Sequence, residues 1–385
     1  MACVAHGVLG GWALVGVLGI GLAPAACGGA ASSGTPDTTA DTSADTTADT
    51  GADTVAPVTA PVLQCPQPGP LPFAVGATAL DTEGARYLID NYPRVKDSGA
   101  DYLGVPGGAG AITTQSVDDA LLDGSVQPIV GRMARSPNEL GLAGDPVSGE
   151  WVSAWQPLDD GGWQQVGRAR SGDDGEYAFE LAGADRFGVG SHALYGVLEG
   201  AGSCVEHDYY LWPAATEVVV TDIDGTLTLD DNEMGYQIAD GSYVPQQKTA
   251  ADQLMRAWHD KGYQIIYITA RPHVFRAETR AWLASEGYPP GPIITASELV
   301  FDAAAITYKT AWLGWIKGFG WQVVAAYGNA NSDIQAYENA AIQKDRTFII
   351  GPEAGASSTV AIANDDFSDH IAGYVAAQPV ATPTF

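Results

Sequence analysis

Two carboxylates one residue apart, in Asp222-Ile-Asp-Gly-Thr226, follow the apolar run Val218-Val-Val220. At the end of a strand, side chains at i and i+2 point the same way. A phosphomonoester is an anion, so an attacking carboxylate needs a cation to offset repulsion. Mg²⁺ between Asp222 and a phosphate oxygen supplies that offset. Asp222 can then attack phosphorus and form an aspartyl-phosphate. Asp224 is suitably placed to protonate the leaving oxygen and later to deprotonate water. Gly225 permits the tight turn by which the chain leaves the site. In Thr269-Ala-Arg-Pro272 the hydroxyl can donate to a phosphate oxygen, and Arg271 either adds charge toward the substrate or pairs with an acid. Lys309 opens a helix expected over Tyr308–Phe319. A lysine there opposes the helix dipole, and neutralising an aspartyl-phosphate would compensate. Tyr327-Gly-Asn-Ala-Asn-Ser-Asp333 sets Asn329 and Asp333 four apart. They are hard oxygen ligands able to complete an octahedral Mg²⁺ site, while Asn331 or Ser332 can cap the helix that follows.

These residues need a scaffold that brings distant segments to one rim. From Glu217 the pattern alternates strand and helix. Val218–Thr221, Tyr263–Ile268, Pro292–Thr295, Gln322–Tyr327 and Arg346–Ile350 read as strands. Helices are expected around Ala251–Trp258 and over Phe275–Glu286, Tyr308–Phe319 and Asn331–Ala341. Such alternation predicts a parallel sheet with helices on both faces and function at the carboxyl ends of the strands. Residues 128–213 read differently. Short runs rich in Val, Trp and Tyr at 128–134, 150–155, 163–169, 176–181, 192–198 and 205–212 alternate with turns, as in an all-β immunoglobulin-like sandwich. Helices are conceivable at 79–92 and 117–122, within a segment 65–127 that carries no recognisable chemistry.

Asp-x-Asp, then Thr, then Lys, then Gly-Asn-x₃-Asp at successive strand ends resembles the motif set of the haloacid dehalogenase superfamily. Asp222–Thr228, Thr279–Leu283, Glu286–Ile294, Tyr308-Lys309 and Ala325–Asn329 through Tyr337 resemble the catalytic domain of lipin-type phosphatidate phosphatases. The resemblance covers about Trp212 to Val375. It implies a Rossmann-like three-layer α/β fold, with Asp222 as nucleophile, Asp224 as acid/base, and Thr269 and Lys309 on the phosphate. It further implies Mg²⁺ held by Asp222, Asp224 (through its carbonyl), Asn329 and Asp333. Gly225, Thr226, Ala270 and Arg271 are taken as substrate-binding. Lipins have Ser where this chain has Thr269, which keeps the hydroxyl. Asp230-Asp231 stand where the family has a basic or polar residue and then Asp. The implied substrate is a phospholipid, phosphatidate. The alternatives are a soluble phosphomonoester and a surface lipoprotein that binds phospholipid without turnover.

The 385 residues suffice for two domains plus tails. With 18 Lys and Arg against 46 Asp and Glu, the formal charge is −28, which argues against nucleic acid as a partner. Residues 1–27 read as an export signal, an apolar run from Val8 to Ala26 ending before Cys27. Cys27-Gly-Gly29 resembles the lipid-modified cysteine of bacterial lipoproteins, with a plain secretory signal as the other reading. The expectation is therefore an exported cell-envelope protein held to a membrane by a lipid anchor. Residues 28–64 repeat Ala-Asp-Thr with almost nothing to bury and read as a tether between anchor and folded body. In an oxidising compartment Cys65 and Cys204 can pair. The expected organisation is signal 1–27, linker 28–64, segment 65–127, sandwich 128–213, phosphatase domain 214–378 and tail 379–385.

Overall fold

The structure, a computed structural model, describes residues 95–97, 99–113, 124–135, 145–160, 162–199, 203–239, 243–297 and 300–382. The chain divides into two units, Met1–Pro57 and Val58–Phe385, and all described residues belong to the second. The expected signal, the tether, the helices at 79–92 and 117–122, Cys27 and Cys65 lie outside the described residues. Cys204 is disulfide-bonded.

The described residues of the amino-terminal part form twelve strands: β1 Val95–Asp97, β2 Tyr102–Gly104, β3 Gly110–Ile112, β4 Val126–Arg135, β5 Asp145–Pro146, β6 Trp151–Pro157, β7 Trp163–Arg170, β8 Glu176–Ala182, β9 Gly190–His192, β10 Tyr195–Leu198, β11 Ser203–Glu206 and β12 Tyr209–Leu211. In place of a two-sheet immunoglobulin-like sandwich they form three four-stranded sheets. The first joins β1, β4, β5 and β8; the second runs β11-β10-β6-β7; the third runs β3-β2-β12-β9. The third sheet recruits β2 and β3 from the segment that carried no strand signal, and β2 pairs with β12 in parallel.

One strand expected over 205–212 is broken by His207, which is fully buried. Its Nδ1 lies 3.2 Å from the Ala100 carbonyl, which can only accept, so Nδ1 carries the proton. Its Nε2 then accepts from the Tyr177 hydroxyl at 2.8 Å. Burial pushes the His207 imidazole down to about 3, so the ring sits neutral.

The carboxy-terminal part alternates strand and helix: β13 Glu217–Thr221, α1 Glu233–Ala239, α2 Ala251–His259, β14 Gln264–Pro272, α3 Arg276–Ser285, β15 Ile293–Ala296, α4 Asp302–Gly318, β16 Gln322–Gly328, α5 Asn331–Asn339, β17 Thr347–Ile349 and β18 Val360–Ala361. The six strands form one parallel sheet ordered β15-β14-β13-β16-β17-β18. Side-chain alternation assigns its two faces. Val219, Ile265, Tyr267, Ala325 and Tyr327 pack with Leu254 and Trp258 of α2 and Trp282 of α3. Val218, Val220, Ile266, Ile268 and Ile294 pack with Trp312 and Leu313 of α4 and Tyr337 of α5. Each Val, Leu or Ile side chain among them, fully removed from water, contributes about 1.5–3 kcal/mol before entropy is counted. Helices therefore cover both faces, as the alternating pattern predicts.

The chain runs outward from β13 through β14 to β15, then returns to the other side of β13 as β16. Between β13 and β16 the connections diverge to opposite sides, the switch point at whose carboxyl ends open α/β sheets form their ligand crevice.

The two parts meet at a buried charge network. Asp101, beside β2, is fully buried and accepts from Arg276 of α3. It also accepts from Arg280 at 2.9 and 2.7 Å and from the Ile293 amide at 3.1 Å. Arg280 reaches Asp208 at 2.6 Å. A carboxylate and two arginines thus fix α3 against the β-rich part.

Candidate active site

The crevice at the end of β13 collects the residues singled out from the sequence. Asp222 follows the last residue of the strand, and its backbone N–H still donates to the Tyr327 carbonyl of β16 at 3.0 Å. The carboxylate is buried. Its Oδ1 accepts from Lys309 Nζ at 2.7 Å, and the same ammonium reaches Asp333 Oδ1 at 2.7 Å. Burial lifts the Asp222 carboxyl; Lys309 opposes this, while Asp333 and Asp224 add to it, leaving it at about 7 rather than 3.8. Burial on its own would lower Lys309, but Asp222 and Asp333 together hold it above the usual lysine range.

Lys309 does not open its helix. α4 begins at Asp302, because Ala303-Ala-Ala305 is good helix-forming sequence that extends the element upstream. The dipole mismatch expected for Lys309 is therefore absent. Its reason for being buried is the pair of carboxylates.

Asp224 is held from a second direction. Arg271 forks onto it, with Nη2 to Oδ1 at 2.8 Å and Nε within 3.0 Å of both oxygens. Such bidentate contacts fix orientation as well as charge. Thr269 Oγ1 donates to Asp224 Oδ2 at 3.1 Å. Of the two roles open to Arg271, the structure displays the pairing with an acid; its side chain is fully buried. Both residues are presented by β14, which runs on to Pro272 and so carries Thr269, Ala270 and Arg271 within the strand.

At the far side of the crevice, Asn329 follows β16 and Asp333 lies in the first turn of α5. Asp333 is fully buried, and its Oδ2 accepts from the backbone N–H of Asn329 at 3.1 Å and Ala330 at 3.0 Å. It caps this helix in place of Asn331 or Ser332. Thr226 Oγ1 lies 3.3 Å from Asp222 Oδ2 and 3.2 Å from Asn329 Oδ1, so its single proton serves one of them at a time. Asn329 Nδ2 donates to Asp231 Oδ1 at 2.8 Å. Gly225 has φ +69°, and a Cβ there would strike both Asn329 Nδ2 and Asp231 Oδ1. Asp231 stands where the resembled family also has Asp, but the sequence alone assigned it no place in the site; its contact with Asn329 supplies one.

Among the described residues, no group of three or more His, Cys, Asp or Glu converges as a metal centre. The set that does converge here is mixed: Asp222 Oδ2 and Asn329 Oδ1 approach one hydroxyl. Of the four carboxylates here, Asp222 and Asp333 meet Lys309, Asp224 meets Arg271, and Asp231 meets the Asn329 amide. Hard oxygens with an excess of carboxylate suit Mg²⁺ chemically.

Comparison with known proteins found a matching domain family and several similar proteins. The family described as "PITM 1-3, LNS2 domain" matches residues 219–351. The relatives include Protein retinal degeneration B and membrane-associated phosphatidylinositol transfer proteins, and not lipins specifically. Protein retinal degeneration B of Drosophila melanogaster is 28% identical over 231 residues, 60% of this chain and 17% of that protein. Membrane-associated phosphatidylinositol transfer protein 2 of Homo sapiens is 26% identical over 260 residues, 66% of this chain and 18% of that protein. The chain thus spans about a fifth of the length of these relatives. The apo form of phosphoserine phosphatase superposes with a TM-score of 0.29 at 11% identity, over 42% of this chain and 99% of that one, too low a score to carry an argument. These matches overturn the expectation of an exported bacterial cell-envelope protein, since the relatives are animal proteins.

Proposed function

We propose that residues 214–378 form a haloacid dehalogenase-type phosphatase, Mg²⁺-dependent and acting on a phospholipid, with phosphatidate as its substrate. The observation that carries this reading is the buried Asp222–Lys309–Asp333 bridge beside an Asp224 carboxylate fixed by Arg271. It supports one carboxylate for attack and a second for proton transfer. The lipid assignment is supported by the match to the LNS2 domain and by relatives named for phosphatidylinositol transfer.

In the proposed reaction, an Asp222 oxygen attacks phosphorus and the bond to the leaving oxygen breaks. Asp224 gives that oxygen its proton. Arg271 and Thr269 keep the Asp224 carboxyl turned toward the crevice throughout. Asp224 then takes a proton from water, the hydroxide attacks phosphorus, phosphate departs and Asp222 is regenerated. Lys309 offsets charge on Asp222 while the phosphoryl group is attached. Asp222, Asn329, Asp333 and the Asp224 carbonyl are the residues that would hold Mg²⁺, which when bound supplies charge stabilisation to the phosphoryl oxygens. Gly225, Thr226 and Ala270 line the approach of the phosphate.

The test is release of inorganic phosphate from phosphatidate in detergent micelles, compared with sugar phosphates and nucleotides, with Mg²⁺ or with chelator. Mg²⁺-dependent turnover preferring phosphatidate, abolished by Asp222→Asn, is expected. One specific observation favours a second reading: the relatives' names speak of lipid transfer and not of hydrolysis. Phosphatidate binding to vesicles without turnover of any ester would favour that reading.

A further inference from the structure

Asn329 Oδ1 and Nδ2 are distinguishable only by their partners. At this site the partners decide. A carboxylate oxygen accepts and does not donate. Asp231 Oδ1 therefore requires the amide NH₂ to face it, at 2.8 Å. The carboxamide is planar, so Asn329 Oδ1 is turned to the opposite side, toward the Thr226 hydroxyl and Asp222 Oδ2. With the amide flipped, an N–H pair would replace the lone pairs on that side, and a hard cation would be repelled.

A second observation is independent of the hydrogen bond. Gly225 has left-handed backbone, and the space a Cβ would take there is filled by the two atoms of the Asn329–Asp231 contact. The pair is thus seated directly over the turn that joins Asp224 to Thr226.

Asp231 comes from an excursion between β13 and α2, and that excursion is braced. Thr228 bridges Gln247 in antiparallel fashion. The Leu229 amide donates to the Gln246 carbonyl at 2.7 Å. The buried carboxylate of Glu233 accepts from Tyr243 Oη and the Gln246 amide, both at 2.8 Å. Asp231 itself is exposed; it owes its position to this bracing and not to burial.

We infer that Asp231 is a positioning residue, which orients the Asn329 carboxamide so that its oxygen faces a bound Mg²⁺. The inference rests on the Mg²⁺-dependent reading above. Outer-sphere partners of this kind typically alter metal affinity about 10–100-fold when removed.

The experiment uses the full chain. Mg²⁺ binding is titrated calorimetrically without substrate for the wild type, Asp231→Asn, Asp231→Ala and Asp230→Asn. Asp231→Asn keeps the size but can donate, so it no longer dictates the amide orientation. Asp230 accepts from the Asn232 amide at 2.7 Å and serves as a charge control. Both Asp231 variants are expected to bind Mg²⁺ at least about tenfold more weakly. The Mg²⁺ concentration for half-maximal phosphate release should rise in parallel. Asp230→Asn is expected to bind as the wild type does. Equal affinity in wild type and Asp231→Asn, or an equal loss in Asp230→Asn, overturns the inference while leaving the phosphatase reading intact. A wild type that binds no Mg²⁺ overturns both.

Discussion

Replacing the proposed nucleophile should stabilise the metal-free protein while abolishing turnover, and only above a defined pH. In the fold, the Asp222 carboxyl is pushed from 3.8 to about 7, chiefly by burial, with Asp333 and Asp224 adding to the effect against the pull of Lys309. A carboxyl raised in this way is more easily protonated folded than unfolded. Its contribution to stability is complete below pH 3.8, declines between 3.8 and about 7, and is gone above that. At about 1.4 kcal/mol per pH unit, the gap between 3.8 and about 7 amounts to a ceiling of about 4 kcal/mol. Asp222→Asn keeps an oxygen for Lys309 and does not titrate. The stability difference, variant minus wild type, should therefore grow with pH by up to about 4 kcal/mol in chelator. Titrating groups remote from Asp222 are shared and cancel, while those that interact with it, Lys309, Asp333 and Asp224, contribute to the difference. Mg²⁺ should erase the gain at pH 8 by favouring the ionised wild-type carboxylate. The assay is urea denaturation at pH 5, 6, 7 and 8, with chelator and with Mg²⁺. A difference that stays constant across this range in chelator would refute the reasoning.

Other sites give equally direct tests. His207 sits neutral, held at about 3 by burial, whereas the unfolded chain takes up its proton near 6.5. Stability should fall as pH drops from 6.5 toward 3, by up to about 1.4 kcal/mol per pH unit, and acid titration of urea midpoints should show a shallower fall in His207→Gln. Gly225→Ala puts a side chain into left-handed backbone and into the Asn329–Asp231 contact; a loss of about 1–3 kcal/mol is expected from backbone strain. Thermal denaturation measures that cost, and phosphate release should fall together with Mg²⁺ affinity. Asp101→Asn leaves Arg276 and Arg280 without their shared carboxylate, and should cost about 3–5 kcal/mol, seen as a lower thermal midpoint at unchanged Mg²⁺ affinity.

What was legible in the sequence was local. The apolar run Val218–Val220 is a strand that leads directly to the buried Asp222, and both features follow from a few adjacent residues. The helical spacing of Ala251, Leu254, Met255 and Trp258 holds, since all four are buried along α2. Reading fails where the decisive partner is remote. Strands β2 and β3 are three residues each and too short to display alternation; β2 is specified by pairing with β12, more than a hundred residues on. The start of α4 depends on Ala303–Ala305, small residues that leave no strong periodic mark. Arg271 could pair with an acid or face a substrate until Asp224, 47 residues earlier, was brought against it. Asp231 lay within a few residues of the motif, yet its partner Asn329 is 98 residues away.

The placement of cations ties composition to the site. A chain with 18 basic and 46 acidic residues repels anions at long range. Yet Lys248, Arg271, Arg276 and Lys309 are all buried, each bonded to carboxylate or carbonyl oxygen. These cations face inward, and those at the crevice are already matched to Asp222, Asp224 and Asp333. A phosphate arriving there meets no unmatched side-chain charge from Lys309 or Arg271. Under the proposed reading, a cation added to the carboxylates supplies the charge that these paired side chains do not, so Mg²⁺ is expected to govern phosphate binding as well as turnover. Chelator should then weaken capture of the phosphate head group even by Asp222→Asn, in which no chemistry follows.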